Sequence, residues 1–434
     1  MAVVSPWPPE RSGIADYSAE LLPALSELVD ASPFAPSEAS RALVSRPDVL
    51  LFQLGNDPLH APSVELLRDR PRSLPAVVVL HDFCLHHLFA AAYLDRGREE
   101  EYASELARAH GERGRELARR ALAGPRVPVW DLDPWSYPMS AAVIRDATSL
   151  IVHSRLVRGA VLREHPLARV VEVPHHVVPA PRTAKAEARA RLGLPADRPL
   201  VVTLGVVTPA KRVDRVLHAL ARVPAGRRPF LFVGGAVGAD DPLLETVRSL
   251  GLAGDVRFGG YLEEADFWRA ASAADLAVNL RFPTMGETSG AVCRLAGFGL
   301  PLVVNDVGWF RELPDAFARK VPLGEGEAEA IARAIEELAG DDDGRQAASA
   351  AAARWGEERR PGAVAARYAE VLLEAVSGRS APRALVSRLA AELRAVGVAG
   401  AGRFGSSSRQ PDAAVAARLA EAAEGLVPGG PATR

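Results

Sequence analysis

The chain has 434 residues, of which 48% are hydrophobic and 24% charged, and its formal net charge is -2. This length and composition are typical of a globular protein with more than one hydrophobic core, and they exclude a single small binding module. The 52 Lys and Arg residues balance 54 Asp and Glu residues, so we expect no general attraction to nucleic acid.

Short β-branched segments alternate with longer amphipathic segments, a pattern typical of βαβ units and parallel sheets. In the first half the predicted strands are residues 2–5, 49–53, 77–80, 149–153 and 170–173. In the second half they are residues 200–204, 230–233, 255–258, 276–280 and 302–305, with helices predicted at 213–222 and 327–338. Uninterrupted apolar runs suit strands that are buried on both faces. The sequence therefore predicts an α/β protein with two doubly wound domains.

Prolines interrupt regular structure between the two halves. We therefore predict an N-terminal domain at residues 1–178 and a C-terminal domain at residues 179–360. A helix at 361–377 follows, and its return to the N-terminal domain is one of two arrangements that the sequence allows. Residues 378–434 are rich in Ala, Gly, Ser and Arg, which predicts a low-complexity or partly helical tail.

Several features bear on the surroundings of the chain. Cys84 and Cys293 have no metal-binding spacing, so we predict no metal site, no disulfide framework and a reducing compartment. The first residues lack the pattern of a signal peptide, and no apolar stretch is long enough to span a bilayer. We therefore expect a cytoplasmic protein. The basic stretch at 113–120 is interpreted as a solvated helix face, with weak peripheral contact to an anionic membrane or glycan as the alternative.

The loop after the first predicted strand opens a helix and carries Ser12, Gly13 and Asp16. In open α/β sheets, ligands bind beyond the carboxyl ends of the strands, so such loops are the first place to look for a site. Gly13 lets a ligand approach the backbone, and free amide groups at a helix start favour an anion. The alternative is a turn in which Ser12 only caps the helix.

His81 and Asp82 directly follow the strand predicted at 77–80. A histidine at a strand end that faces a cleft is suited to donate a hydrogen bond to a reacting sugar or phosphate, or to transfer a proton. The alternative is a histidine that satisfies backbone groups. Asp16 and Asp82 are both candidates for an acceptor-side base, and neither spacing singles one out.

Lys211 and Arg212 lie between a predicted strand and a predicted helix. Two cations at a helix N-terminus conflict with the positive end of the helix dipole unless an anion lies between them, so the pair indicates a bound phosphate. Lys211 is the better candidate, because Arg212 is also placed to pair with Asp214 or Asp16. The alternative is two solvated cations.

A fourth loop carries Glu287, Thr288, Ser289 and Gly290 before a predicted helix. Hydroxyl groups and free amides at a helix start suit phosphate oxygens, and Glu287 is able to accept hydrogen bonds from sugar hydroxyls. The alternative is a helix N-cap. The glycine-rich run at 234–238 lacks dinucleotide-binding spacing and instead predicts a close approach between a strand end and another backbone.

Taken together, these loops resemble the retaining family-four glycosyltransferases of the GT-B type. The resemblance covers residues 1–377 and implies two Rossmann-like domains that face each other across a cleft. It rests on Pro-Pro-x-x-Ser-Gly-Ile-Ala-Asp-Tyr-Ser at 8–18, His-Asp-Phe at 81–83, Ile-Val-His-Ser at 151–154, Thr-Pro-x-Lys-Arg at 208–212, Gly-Glu-Thr-Ser-Gly at 286–290 and Asn-Asp-Val-Gly-Trp-Phe-x-Glu-Leu-Pro at 305–314.

The resemblance implies transfer of a sugar from a nucleotide-diphosphate sugar, the co-substrate, to a hydroxyl of a glycan, lipid or small-molecule acceptor. Configuration would be retained, and neither a metal nor another cofactor would be required. The resemblance places His81 beside the reacting sugar, Glu287 at the sugar hydroxyls and Lys211 at the diphosphate. The implied donor contacts are Ser12, Gly13, Lys211, Arg212, Thr288, Ser289, Gly290 and Arg294. A front-face route and a double displacement both stay open.

Two departures from the family pattern leave other functions open. The second family glutamate lies eight residues beyond the first, a spacing that here leads from Glu287 to Leu295, whereas anchoring on Gly299-Leu300-Pro301 puts Arg294 at that position. Val206 stands where an arginine is common. The nucleotide and the ribose contact are therefore undetermined, with Arg212 or Arg294 as substitutes for the missing arginine. The alternatives to a transferase are a nucleotide-sugar epimerase on the same fold and a non-catalytic nucleotide-sugar-binding partner.

Overall fold

The computed structural model describes residues 1–123 and 129–378, so all but the first residue of the predicted tail lies outside the described residues. The described chain forms two six-stranded sheets in which every strand pair is parallel. The strands of the N-terminal sheet are β1 (Ala2–Val4), β2 (Ser32–Phe34), β3 (Leu50–Leu54), β4 (Ala76–Leu80), β5 (Ser149–Val152) and β6 (Val170–Glu172). Their order in the sheet is β2-β1-β3-β4-β5-β6.

The C-terminal sheet repeats this arrangement. Its strands are β7 (Leu200–Leu204), β8 (Phe230–Gly234), β9 (Val256–Phe258), β10 (Leu276–Val278), β11 (Leu302–Asn305) and β12 (Ala318–Val321). Their order is β12-β11-β10-β7-β8-β9. Ten of these twelve strands were predicted from the sequence, including the edge strands β6 and β9, whereas the edge strands β2 and β12 were not.

Helices cover both faces of each sheet. Those of the N-terminal half are α1 (Gly13–Ser26), α2 (Ala39–Val44), α3 (Ala61–Asp69), α4 (His86–Tyr93), α5 (Glu99–Ala123), α6 (Val129–Leu132), α7 (Ala141–Asp146) and α8 (Arg155–Glu164). The remaining helices are α9 (Lys185–Leu192), α10 (Val213–Arg222), α11 (Pro242–Ser249), α12 (Glu264–Ala273), α13 (Gly290–Phe298), α14 (Glu327–Gly340), α15 (Asp342–Glu357) and α16 (Pro361–Val376).

The apolar run of β4 shows why these strands are central. Val77 and Val79 pack into the core formed with α1 and α16, whereas Val78 and Leu80 pack into the core on the other face with α3 and α4. Successive side chains of a strand point to opposite faces, so a strand covered by helices on both sides is apolar at every position. The doubly wound architecture is therefore confirmed.

The last described helix, α16, packs on the N-terminal sheet. The hydroxyls of Tyr17 and Tyr368 are 2.7 Å apart and both side chains are buried. The chain thus crosses from the C-terminal half back to the first domain. Of the two arrangements that the sequence allowed, the structure has the return to the N-terminal domain.

Candidate active site

The two domains meet through the loop between β10 and α13. The backbone amides of Phe83 and Cys84 donate to the carbonyl oxygen of Met285, at 2.9 and 2.8 Å. The indole Nε1 of Trp135 donates to the carbonyl oxygen of Thr284 at 2.8 Å, and its ring stacks on Phe83. The N-terminal domain therefore holds the backbone of a loop that belongs to the C-terminal domain.

Glu287 lies at the end of that loop with both carboxylate oxygens engaged. Its Oε2 accepts from the Thr284 hydroxyl at 2.9 Å and from the Met285 amide at 2.6 Å. Its Oε1 is 3.1 Å from Nε of Arg281, with which it forms an ion pair. A pocket of about 190 Å³ adjoins it, lined by Arg281, Thr284, Glu287, Ser289, Val307, Trp309 and Phe310. The sequence analysis selected Glu287 and missed Arg281.

Lys211 projects from the loop after β7 toward the same region. Its Nζ would lie 3.4 Å from a Cβ atom on Gly205. Burial and, to a smaller extent, the nearby Arg281 guanidinium lower the pKa of Lys211 to about 7, while the Glu287 carboxylate acts in the opposite direction. Burial and the charges of Arg281 and Glu287 account for this shift, and no hydrogen bond from the described residues contributes to it. An added anion at this place would favour the charged lysine.

The loop that carries Lys211 is fixed by a close backbone contact. A Cβ atom on Gly235 would lie 2.4 Å from the carbonyl oxygen of Gly205, so no other residue fits without displacing the backbone. Gly205 itself has φ +110, a conformation that glycine adopts far more readily than other residues. The predicted close approach of the 234–238 run to another backbone is confirmed.

Arg212 differs from the pairing that the sequence suggested. Its guanidinium binds the buried carboxylate of Glu327, with Nε 3.2 Å from Oε1, and does not pair with Asp214 or Asp16. Asn305 Nδ2 also donates to Glu327, at 2.8 Å. The expected pairing was wrong because the partner begins a helix 115 residues further along the chain, which local spacing does not reveal. The donor role of Arg212 stays a prediction.

Four histidine rings cluster around Tyr17 at the carboxyl ends of β4, β5 and β6, and this cluster is called the histidine wall below. The ring of Tyr17 lies 4.8 Å from His81, 4.7 Å from His175 and 4.3 Å from His176, between ring centroids. His153 is 5.0 Å from His81. Burial and the neighbouring histidines hold the pKa of His81 well below its usual value of 6.5. His81 is therefore neutral at physiological pH and suited to hydrogen bonding.

Two nitrogen atoms of this cluster are buried without a hydrogen-bond partner in the part of the chain that the structure describes, Nε2 of His153 and Nδ1 of His176. His153 Nδ1 donates to the carbonyl oxygen of Val173 at 2.9 Å, and His176 Nε2 donates to the Glu20 carboxylate at 2.9 Å. In a neutral imidazole the second nitrogen is then an acceptor. The wall thus presents two ring nitrogens without a partner among the described residues, which were not predicted from the sequence.

Asp82 lies between this wall and the Glu287 loop. Its carboxylate accepts from the backbone amide of Asn56 at 2.7 Å. Burial raises the pKa of Asp82 to about 7, and the negative charge of Glu287 contributes to the increase. The group is therefore half-protonated near neutral pH, which suits a proton-transfer role.

Replacing Asp82 by Asn tests this pKa. The folded-state pKa of about 7 exceeds the usual value of 3.8, so the stabilisation from a protonated Asp82 is present below pH 4 and is lost as pH rises to 7. An amide retains an oxygen for the Asn56 amide but carries no charge. We expect Asp82→Asn to be more stable than wild type at pH 8 by on the order of 4 kcal/mol. Urea denaturation at pH 4 and pH 8 measures this, and an equal difference at both pH values would contradict the raised pKa.

The Lys211 and Glu287 loops lie within the part of the chain that matches a known family. The family described as glycosyl transferases group 1 matches residues 184–355. This match covers most of the C-terminal domain. The D-inositol 3-phosphate glycosyltransferase of Kineococcus radiotolerans is 33% identical over 241 residues, 50% of this chain and 54% of that protein. Its Streptomyces coelicolor counterpart is 31% identical over 258 residues, 54% and 55% of the two chains. The chain thus spans about half the length of these curated relatives.

Solved structures are similar over both domains. Sucrose-phosphate synthase from Thermosynechococcus elongatus superposes with a TM-score of 0.63 at 16% identity, covering 87% of this chain and 99% of that one. HepE from Anabaena in complex with UDP-glucose gives a TM-score of 0.60 at 14% identity, covering 86% and 99%. At such identities the likeness shows the fold, which is that of the GT-B glycosyltransferases.

Arg294, in α13 of the C-terminal domain, lies at the interface with the N-terminal domain. Its guanidinium pairs with the Glu20 carboxylate of the N-terminal domain, lies 3.7 Å from Glu264 and lies over the ring of Trp268. Burial raises the pKa of Asp16, the Arg294 charge opposes this, and Glu20 and Glu264 raise it further. The residue that departs from the family pattern therefore links the two domains.

Hydroxyl groups begin the two helices that face the cleft. Ser12 accepts from the Ile14 amide at 3.2 Å, and Ser289 accepts from the Val292 amide at 3.4 Å, so both are N-caps. The Thr288 hydroxyl is buried without a partner in the described chain. A Cβ on Gly290 would lie 3.5 Å from His175 Nε2, so the start of α13 in the C-terminal domain lies against the histidine wall. The donor roles of these residues stay predictions.

Gly13 allows a test of backbone approach. It begins α1, and an added Cβ would meet no heavy atom within 4 Å. Since alanine favours a helix by up to about 1 kcal/mol relative to glycine, we expect Gly13→Ala to fold with an unchanged or higher Tm. If a phosphate approaches this backbone, the methyl group should weaken nucleoside diphosphate binding about tenfold. Isothermal titration calorimetry measures the affinity.

Gly159 offers a matched control. It lies within α8, and an added Cβ there also meets nothing within 4 Å. Gly159→Ala should therefore change the Tm in the same direction and leave the affinity unchanged. Equal affinities of the two variants would remove Gly13 from the donor site.

In residues 1–123 and 129–378, no helix combines the length and the apolar character that a membrane crossing needs. The same residues contain no group of three or more His, Cys, Asp or Glu side chains arranged to hold a metal ion.

Proposed function

We propose that the protein is a retaining glycosyltransferase that moves a sugar from a nucleotide-diphosphate sugar to an acceptor hydroxyl. The observation that carries this proposal is Lys211, a partly buried lysine whose pKa burial and Arg281 lower to about 7. A diphosphate bound beyond the end of β7 would supply the negative charge that these two cations need. A nucleotide sugar that binds here would carry such a diphosphate.

The position of Glu287 fits the sugar next to that diphosphate. The loop before α13 follows β10, and β10 lies beside β7 in the sheet, about 4.8 Å away. Although both oxygens of Glu287 are engaged, each carboxylate oxygen has two acceptor positions. Glu287 would therefore bind hydroxyls of the donor sugar while Thr284 and Arg281 hold it in place.

Cleavage of the donor would place negative charge on the departing diphosphate. The bond between the anomeric carbon and the phosphate oxygen breaks, and a bond from the same face to the acceptor oxygen forms. The acceptor proton passes to the leaving phosphate in a front-face route, or to Asp82 or Asp16 as a base. Lys211, Arg281 and the amides at the start of α13 would stabilise the leaving group. We expect no metal or other cofactor to be required, because these groups would supply the positive charge.

The acceptor would bind against the histidine wall of the N-terminal domain. The unpartnered acceptors His153 Nε2 and His176 Nδ1 suit hydroxyl donors of a glycan, a lipid headgroup or a small molecule. D-inositol 3-phosphate is the first acceptor to test, because the curated relatives named above are D-inositol 3-phosphate glycosyltransferases.

Thermal denaturation with UDP, GDP, dTDP and ADP tests the donor site. A ligand at about 100 times its Kd stabilises the folded state by about 2.7 kcal/mol. We expect one or more of these nucleotides to raise the Tm of wild type, and to raise that of Lys211→Ala less. If none of them shifts the Tm of wild type, the donor site at Lys211 is wrong.

A further inference from the structure

One peptide group joins the N-terminal domain to the carboxylate of Glu287. The carbonyl oxygen of Thr284 and the amide of Met285 belong to the same peptide group. Its oxygen accepts a hydrogen bond from Nε1 of Trp135 at 2.8 Å, and its N–H donates to Oε2 of Glu287 at 2.6 Å. Because the oxygen and the hydrogen of a trans peptide group point in opposite directions, the indole and the carboxylate lie on opposite sides of it. Trp135 and Glu287 are therefore connected by hydrogen bonds in series.

The N-terminal domain also holds the next peptide group of this loop. The carbonyl oxygen of Met285 accepts from the amides of Phe83 and Cys84, at 2.9 and 2.8 Å. The ring of Phe83 is buried and stacks on the Trp135 indole, with ring centroids 5.1 Å apart and ring planes inclined by 27°. The stacking holds the indole plane, while the two amides hold the loop next to it. Residues of the N-terminal domain therefore set the orientation of the peptide group that binds Glu287.

The packing of the loop leaves this peptide group little room to turn. Gly286 has φ +85, and a Cβ atom on it would lie 2.7 Å from Cβ of Phe83. The Gly286 amide donates to the Thr284 hydroxyl at 3.1 Å, and this hydroxyl donates to Oε2 of Glu287 at 2.9 Å. The Met285 amide and the Thr284 hydroxyl therefore converge on one carboxylate oxygen, and a turn of the peptide group would remove the shorter of the two contacts.

The indole also strengthens the contact to the carboxylate electronically. Hydrogen bonds in series polarise one another, by about 10–30% per bond, so a carbonyl oxygen that accepts from Trp135 makes the N–H of the same peptide group a better donor. That N–H donates to a carboxylate, and hydrogen bonds to a charged acceptor are stronger than those between neutral groups. Both effects of Trp135, on orientation and on donor strength, reach Glu287 through the backbone.

We infer that Trp135 is a positioning residue for Glu287 and acts through the peptide group between Thr284 and Met285. The kinetic consequence of this inference rests on the proposed function, in which Glu287 binds the donor sugar. Trp135 belongs to the N-terminal domain, so the sugar contact depends on both domains, whereas Lys211 is carried by the C-terminal domain alone. Loss of the indole N–H should therefore reduce transfer of the sugar and leave the affinity for a free nucleoside diphosphate unchanged.

Trp135→Phe tests this effect, because phenylalanine keeps a ring on Phe83 and lacks the N–H. We expect kcat to fall about 2- to 12-fold, the effect of losing one hydrogen bond between neutral groups, with an unchanged Kd of the free nucleoside diphosphate. Trp7→Phe is the matched control, because Nε1 of Trp7 donates to the carbonyl oxygen of Phe34 at 3.1 Å within the N-terminal domain. It should leave both kcat and Kd unchanged.

A double-mutant cycle measures whether Trp135 acts through Glu287. In the Glu287→Gln background, Trp135→Phe should lower kcat less than it does in wild type, because the carboxylate that it positions is no longer present. An equal loss of kcat in both backgrounds would overturn the inference. So would an unchanged kcat of Trp135→Phe, or a loss of nucleoside diphosphate affinity as large as the loss of kcat.

Indole NMR separates failure of this inference from failure of the proposed function. In the full chain labelled with 15N-tryptophan, the Trp135 and Trp7 resonances are identified by their absence from Trp135→Phe and Trp7→Phe. Glu287→Ala should shift the Trp135 resonance, because it removes the acceptor at the other end of the series, and should leave that of Trp7 in place. A Trp135 resonance that does not shift would overturn the inference, whether or not the protein transfers sugar. A shifted resonance in a protein that binds no nucleoside diphosphate would mean that the proposed function fails and that the connection between the two side chains stands.

Discussion

Lys211→Ala is expected to lower turnover about 10²- to 10³-fold, the effect typical of removing one group that stabilises charge in a transition state. The structure places the ammonium group beside Arg281 with burial opposing its charge. A bound diphosphate reverses that balance, because it attracts both cations. Removing the lysine leaves Arg281 to act alone, so nucleoside diphosphate affinity should fall as well. Steady-state kinetics and calorimetry measure the two effects.

The pKa of Lys211 adds a pH signature to this prediction. The free protein has a Lys211 pKa of about 7, and a bound diphosphate would raise it, so binding takes up a proton above pH 7. Affinity for a nucleotide sugar should be constant below pH 6 and fall between pH 7 and pH 9. Lys211→Arg, which stays charged throughout, should remove this decline. A pH-independent wild-type affinity, or unchanged turnover of Lys211→Ala, would take Lys211 out of the donor site.

Glu287→Gln is expected to reduce sugar transfer about 10²-fold while changing nucleoside diphosphate affinity much less. The carboxylate is held by the Thr284 hydroxyl and the Met285 amide at the position proposed for the sugar, one strand away from Lys211. The glutamine amide accepts hydrogen bonds from sugar hydroxyls more weakly than the carboxylate does, and it does not form the ion pair with Arg281. Comparing kcat for the nucleotide sugar with the Kd of the free nucleotide separates the two contributions.

Thr284→Val tests the same contact as Glu287→Gln with a smaller expected effect. It removes the hydroxyl that orients the carboxylate and keeps the charge, so its effect on transfer should have the same pattern and be about tenfold. Equal losses of transfer and of free-nucleotide affinity in Glu287→Gln would contradict the assignment of this residue to the sugar.

The central strands were all predictable from sequence, and so were the edge strands β6 and β9, whereas the edge strands β2 and β12 were not. Strand β11, predicted at 302–305, is apolar along most of its length because helices cover both faces. Strand β12 carries Arg319 and Lys320 in its middle, and β2 contains Pro33 with a largely exposed pattern. Both pair on one side only. An edge strand is free to carry polar residues and proline on its unpaired side, and β2 and β12 do so, which removes the apolar pattern on which the prediction relied.

The loops of the site were predictable because parallel strands bring their carboxyl ends to one edge. Lys211 and Glu287 were selected on that basis, and in the structure the charge of Glu287 raises the pKa of Lys211. Arg281 follows β10 in the same way and was overlooked, although the same rule would have found it. Trp135 was beyond such reasoning, since its hydrogen bond joins it to a residue 149 positions later.

The hydrogen bonds of Glu312 to the N-terminal domain were likewise not predictable, because their partners lie far away in the sequence. Its carboxylate accepts from the backbone amides of Arg155 at 3.0 Å and Leu156 at 2.8 Å, 157 and 156 residues away in the sequence. The acidic group satisfies the free amides at the start of α8, so it fastens the C-terminal domain to the N-terminal one. The prediction of helix caps from sequence succeeds for Ser12 and Ser289 because donor and acceptor lie within three residues of each other.

Analysis of the reaction products tests most directly whether the protein is a retaining glycosyltransferase. The full chain is incubated with UDP-glucose and its GDP, dTDP and ADP counterparts, with D-inositol 3-phosphate as acceptor, and the mixture is followed by NMR. The account predicts that one donor releases its nucleoside diphosphate in step with a new glycoside of unchanged anomeric configuration, and that Lys211→Ala suppresses both. A donor sugar that isomerises with its nucleotide still attached, or a donor that binds and is never consumed, would contradict it.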